Sequence, residues 1–187
     1  MSRSTLAAAA LLLAGICGCA DSPTEPDPKS SGDAGPPRPA LRIDLRVDNA
    51  VVKDGADAGF TAFLVNDGAE PVTVVLPGDG SDCGWRSPVV RWHPEQQHGA
   101  RCGNINRLRD NEVVTLAAGE RVRLGWLGRP HLVGPGTHQV QLELEHIPDL
   151  EWGGVPLGEH SPTAMARLRQ TPAFKAVSNV VEVTVRP

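Results

Sequence analysis

The stretch Thr137-His138-Gln139-Val140-Gln141-Leu142-Glu143-Leu144-Glu145 decides the fold. Val140, Leu142 and Leu144 fall on one side of an extended chain, and Gln139, Gln141, Glu143 and Glu145 on the other. That two-residue period belongs to a strand with one face in a core and the other in water. The same alternation recurs at both ends of the region around it. Leu41, Ile43, Leu45 and Val47 alternate with Arg42, Asp44, Arg46 and Asp48, and Val181, Val183 and Val185 share one face near the C-terminus. Residues 60–66 are apolar on both faces, which suits an interior strand, and Asn66-Asp67-Gly68 supplies turn chemistry before a β-branched run at 71–76. Shorter candidates follow at 88–92, 112–116 and 121–127. Seven or eight short strands punctuated by Gly, Pro, Asn and Asp predict an all-β antiparallel sandwich over residues 41–187.

One segment departs from this period. Ser161-Pro162 offers an N-cap and a proline for the first helical position, residues 163–170 are good helix formers, and Thr171-Pro172 stops them. A single short helix is therefore inserted between two strands.

Upstream, residues 20–40 hold six prolines (Pro23, Pro26, Pro28, Pro36, Pro37 and Pro39) among Ser, Gly, Asp and Glu. Such a composition buries too little apolar surface to offset ordering entropy, so it reads as a disordered linker. It spans at most about 65 Å at the polyproline rise. Before it, Arg3, an apolar run from Leu6 to Ile16 and the small residue Gly18 form the layout of a secretory leader over residues 1–18. The run is too short to cross a bilayer, which takes about 20 residues. Ile16-Cys17-Gly18-Cys19 resembles a bacterial lipobox, which implies acylation of Cys19 as the first mature residue. Cys17 is the rival acceptor, but Ile16 is a poor residue before a cleavage point. Two or three acyl chains would hold the protein stably on a membrane. Ala20, rather than aspartate, follows the acylated cysteine, which favours the outer over the inner membrane. Loss of the leader removes Arg3 and leaves 17 basic against 22 acidic residues, a net charge of −5. That balance argues against nucleic acid as a partner, and against binding an anionic lipid surface by charge.

Cys83 and Cys102 are the cysteines that follow Cys19. In an oxidising compartment such a pair forms a disulfide, worth roughly 3 kcal/mol in the chain-entropy picture. His93 and His98 lie between them, so Cys83, His93, His98 and Cys102 also make up a four-ligand inventory for zinc. The spacing, however, lacks the close cysteine pair of a zinc knuckle. Gly78-Asp79-Gly80-Ser81-Asp82 carries carboxylates and glycines but not the remaining oxygen positions of a calcium loop. Asp54 and Asp57 read as turn residues in the same way. Nucleophile-elbow, zincin, P-loop and dinucleotide motifs are absent, and the six histidines are scattered. The expectation is a non-enzyme without a cofactor. Trp92 and Trp126 are assigned to the core. Trp85, Arg86 and Trp152 stand in Gly-rich loops, and are the residue types that dominate binding hot spots, so these loops are the candidates for ligand contact.

The run Phe63-Leu64-Val65-Asn66-Asp67-Gly68-Ala69-Glu70-Pro71-Val72, with Leu116-Ala117-Ala118-Gly119-Glu120 and Gly134-Pro135-Gly136-Thr137, resembles bacterial immunoglobulin-like sandwiches. It is more weakly similar to BsuPI-type proteinase-inhibitor domains. Arg101-Cys102-Gly103-Asn104-Ile105-Asn106 and Gly154-Val155-Pro156-Leu157-Gly158-Glu159-His160 resemble segments of uncharacterised exported lipoproteins of Gram-negative bacteria. The resemblance implies an immunoglobulin-like fold and an envelope location. The function expected is a lipid-tethered domain that binds or supports another envelope protein. Proteinase inhibition and metal binding are the alternatives.

Overall fold

A computed structural model describes residues 39–95, 104–153 and 155–187. In chain order its strands are β1 (Leu41–Val47), β2 (Val51–Lys53), β3 (Phe60–Asn66), β4 (Val72–Val75), β5 (Val89–His93) and β6 (Asn104–Asn106). They continue with β7 (Val113–Leu116), β8 (Arg121–Arg123), β9 (Gly136–His146), β10 (Val155–Leu157), β11 (Phe174–Val177) and β12 (Val181–Arg186). A 3-10 turn at Asp110–Glu112 precedes β7, and helix α1 (Pro162–Gln170) lies between β10 and β11. The fold is an all-β sandwich with one short inserted helix, as the two-residue periods predict. The anticipated leader, Cys19 and nearly all of the linker lie outside the described residues.

Strand β9 organises one sheet. Antiparallel partners are β5 along residues 141–145, β12 along 136–140 and β11 along 143–146. The second sheet has the order β1-β3-β8, and β4 and β7 form an antiparallel pair of their own. Every even position from Val140 to His146 on β9 is buried. Val140, Leu142 and Leu144 meet Ile43, Leu45, Ala62, Leu64, Trp92, Phe174 and Val183 in the main core. Burial of such side chains stabilises by roughly 1.5–3 kcal/mol each.

Two pairings are parallel, β2 with β12 and β6 with β10, so the arrangement is not antiparallel throughout. The chain leaves the β1-β3-β8 sheet after β1 and joins the β9 sheet as β2, beside β12. The strand expected at 121–127 ends at Arg123, and three residues later Trp126 takes a left-handed backbone conformation that no strand continues. Trp126 has φ 55° and is 57% exposed, which removes it from the core to which the sequence assigned it. Trp92 does fill the core. Its ring lies tilted against Phe60 with centres 5.1 Å apart, and its indole N–H donates to the Leu127 carbonyl at 2.6 Å.

Helix α1 begins as its sequence dictates: the Ser161 hydroxyl accepts from the Ala164 N–H at 3.2 Å, with Pro162 in the first turn. Ala164 and Leu168, one turn apart, press onto Val75, Leu108 and Val113 in a smaller second cluster, and Trp152 packs at its side.

Candidate functional site

Trp85, Arg86 and Trp152 come together. Residues 76–88 connect β4 to β5 by a series of tight turns, and Ser81 anchors them. The Ser81 hydroxyl accepts from Gly78 N–H at 3.0 Å, and its carbonyl accepts from Val90 N–H at 2.9 Å. Gly153 N–H donates to the Trp85 carbonyl at 2.8 Å, which ties this loop to the one carrying Trp152. A Cβ on Gly153 would sit 3.1 Å from the Trp85 ring, so the two loops approach as closely as a glycine permits.

Their meeting buries Arg86 rather than opening a cleft. The guanidinium is 0% exposed, lies 4.9 Å from the centre of the Trp152 ring, and presses its other side on Gly78, where any side chain would collide with it. One ion pair, Arg86 Nη2 to Glu112 Oε1 at 3.0 Å, balances its charge. That contact lies off the hydrogen-bond line, so the Nε, Nη1 and Nη2 atoms all lack a hydrogen-bond partner. Burial lowers the Arg86 pKa, and Glu112 and then Asp79 oppose that. The other Glu112 oxygen accepts from Arg109 N–H at 2.7 Å, which closes the 3-10 turn.

His160 borders the same cluster, edge-on to Trp152 at 5.0 Å. Its Nδ1 accepts from Leu108 N–H at 2.9 Å, so the ring hydrogen sits on Nε2. Burial lowers its pKa, and the nearby Arg86 charge adds to this. Ser161 donates to Asp110 at 2.6 Å, which joins the start of α1 to the 3-10 turn.

A second buried polar pair lies behind β5. Ser87 Oγ accepts from Ile147 N–H at 3.0 Å and shares a second hydrogen bond with His146 Nδ1 at 2.7 Å. His146 is 1% exposed and Ser87 0%. The imidazole Nε2 lies toward the Thr171 backbone without reaching hydrogen-bond geometry. Burial holds the His146 pKa down to about 4. This serine–histidine contact is sealed from solvent and has no carboxylate on the far nitrogen, so the geometry joins the ends of β5 and β9.

The remaining predicted residues divide. Cys83, in the turn at 80–84, and His93, at the end of β5, line one cavity of about 450 Å³ with Asp82 and Glu95. His98 and Cys102 lie outside the described residues. No group of three His, Cys, Asp or Glu side chains converges for a metal among the described residues. In the loop considered for calcium, Asp79 accepts from Asn106 N–H at 3.1 Å. Asp57 accepts from Gly59 N–H at 3.0 Å and pairs with Arg129 at 3.0 Å. Among the described residues no helix is long and apolar enough to cross a membrane.

Sequence reasoning missed Glu112, His160 and the Ser87–His146 contact. One signal for His146 was present, because it continues the even parity of Val140, Leu142 and Leu144. No family model, no curated protein and no solved structure matches the chain.

Proposed function

We propose that the protein is a lipid-anchored, non-catalytic sandwich of the bacterial envelope, which binds or supports another envelope component. The observation that carries this reading is the inward turn of the polar groups at the two Trp-bearing loops. Arg86, Ser87 and His146 serve contacts within the domain. The leader layout and Cys19 give the address and the anchor, and residues 20–40 give the tether.

Cys83 joins Cys102 in a disulfide in this reading, as an oxidising compartment favours for such a pair. Intact mass of the mature chain under non-reducing conditions tests this. A mass lower by two hydrogens supports the bond, and a retained zinc ion with both thiols reduced refutes it. For the function itself, cells are labelled with a fatty-acid analogue and the detergent-extracted protein is used for affinity capture. Label lost on Cys19→Ser, together with a stoichiometric envelope partner, supports the proposal. An unlabelled cytosolic protein, or a partner-free one with turnover activity, refutes it.

A further inference from the structure

The two sheets present outer faces of different charge. On the face of β5, β9 and β11, ion pairs neutralise the charges internally: Arg91 reaches Glu143 at 3.2 Å and Glu145 at 2.6 Å, and Lys175 reaches Glu143 at 2.9 Å. The outer face of β1, β3 and β8 is basic. Strand register sets Asp44 opposite Phe63 opposite Arg123, and Arg42 opposite Val65 opposite Arg121, with Arg46 beside them on β1. Four arginines thus share a face with one acid, Asp44, and Asp67 stands at its rim.

Asp44 pairs with Arg46 at 2.7 Å and Asp67 with Arg42 at 2.7 Å. Among the described residues Arg121 and Arg123 make no close ion pair, although the Arg121 charge acts on Asp44, and the neighbouring Glu120 accepts from the Ala117 N–H instead. Phe63 lies at the centre of this face, with the Arg121 guanidinium 4.8 Å and the Arg46 guanidinium 5.6 Å from its ring centre. From Arg121 to Leu142 the chain has no Asp or Glu but three Arg and two His. The same segment displays Trp126, more than half exposed in the left-handed backbone region, and Val133 at 67% exposure. The buried neighbours Leu124 and Leu127 hold that segment to the core.

We infer that this face docks on an anionic lipid surface, with Arg121 and Arg123 at the phosphate headgroups and Trp126 at the headgroup boundary. Two further points favour lipid over another polyanion. The exposed Trp126 and Val133 follow Arg121 and Arg123 in the chain, and such a segment suits an interface that is apolar below and charged above. The proposed tether also keeps the domain within reach of a membrane: β1, which carries Arg42 and Arg46, starts 22 residues after Cys19. The inference rests on the envelope reading for its setting. The whole-chain charge concealed the face, because the acids are concentrated elsewhere.

The test uses the unacylated mature chain carrying Cys19→Ser, so that binding reports the protein surface alone. It is sedimented with vesicles of phosphatidylglycerol and phosphatidylethanolamine, and with vesicles of phosphatidylcholine. Expected is salt-sensitive binding to the anionic vesicles only, with about a five-fold loss of partitioning per arginine removed. Arg121→Ser/Arg123→Ser therefore weakens binding by roughly 25-fold, while Arg169→Ser/Arg186→Ser, which removes equal charge elsewhere, leaves it nearly unchanged. Brominated lipid quenches the wild type more than Trp126→Phe. Equal binding to both vesicles, equal loss in both double variants, or capture by polyglutamate without vesicle binding overturns the inference. Failure here with Cys19 still labelled in cells leaves the anchor standing. Vesicle binding by a chain that is never labelled does the reverse.

Discussion

Removing the carboxylate of Glu112 will destabilise the domain more than removing the arginine it faces. Arg86 is fully buried, with three nitrogens outside any hydrogen bond, so its charge is held by Glu112 at 3.0 Å. Glu112→Gln leaves that charge uncompensated, a change that costs about 3–5 kcal/mol in buried pairs. Because the Glu112 side chain keeps 19% exposure, water relieves part of the penalty, and about 3 kcal/mol is expected. Arg86→Met removes the charge, keeps an unbranched chain between Trp152 and Gly78, and leaves Glu112 open to solvent. It should lie within about 1 kcal/mol of the wild type. The double variant should recover most of the Glu112→Gln loss, a coupling of about 2 kcal/mol. Equilibrium urea unfolding of the mature, oxidised chain, followed by tryptophan fluorescence, measures all three. Thermal midpoints should fall by about 6–12 °C for Glu112→Gln. A Glu112→Gln cost under about 1 kcal/mol, or a larger cost for Arg86→Met, would refute the claim that an expensive buried cation lies at the meeting of the two loops.

Further outcomes follow from other buried polar groups. The His146 pKa, lowered to about 4 by burial, lies below its unfolded value of 6.5. Above pH 6.5 neither state is protonated and stability is level. Between 6.5 and 4 the unfolded chain takes the proton first, so stability falls with pH, by about 3 kcal/mol in all. His146→Gln should flatten that part of the pH–stability curve, and an unchanged slope would reject the assignment. Asn66, 1% exposed, donates through its side-chain amide to the carbonyls of Glu70, Leu116 and Ala117 and accepts from Gly68 N–H. Asn66→Ala should cost about 2–3 kcal/mol by urea titration, and Asn66→Asp more, because a carboxylate cannot donate. Trp92→Phe loses the bond to Leu127 and should cost about 1–2 kcal/mol, with the Phe60 contact retained.

The sandwich was legible where burial is one-sided. In β9, β1 and β12 apolar residues alternate with polar ones, and the structure buries Val140, Leu142, Leu144, Ile43, Leu45, Val183 and Val185 among them. The helix was legible from Ser161-Pro162, since capping chemistry is local. Strands β2, β6 and β10 were not, because three residues are too few to show a period and long-range pairing supports them. Strand β11 was hidden by its alternation of Phe174 and Ala176 with Lys175 and Val177, in which the exposed face also carries an apolar residue. Trp126 was misread because composition favours a buried tryptophan, whereas this one sits at a left-handed backbone position after β8 with its side chain exposed. The gathering of Trp85, Arg86 and Trp152 was legible only as residue types in Gly-rich loops. That the arginine would be sealed inside depends on Gly78 and Glu112, which no local pattern links to it.

Asn179, in the link between β11 and β12, has a consequence beyond its own segment. Its amide accepts from Leu45 N–H at 2.9 Å and donates to the Leu45 carbonyl at 3.1 Å, while Ser178 bridges to Ile43 in the parallel sense. A side chain here imitates the main chain of a missing neighbour, and the outer rim of β1 is occupied. Unpaired rims invite strands from other molecules, a hazard that grows with crowding. Copies crowded on a surface would find this rim already filled, and could stand side by side without knitting into a shared sheet.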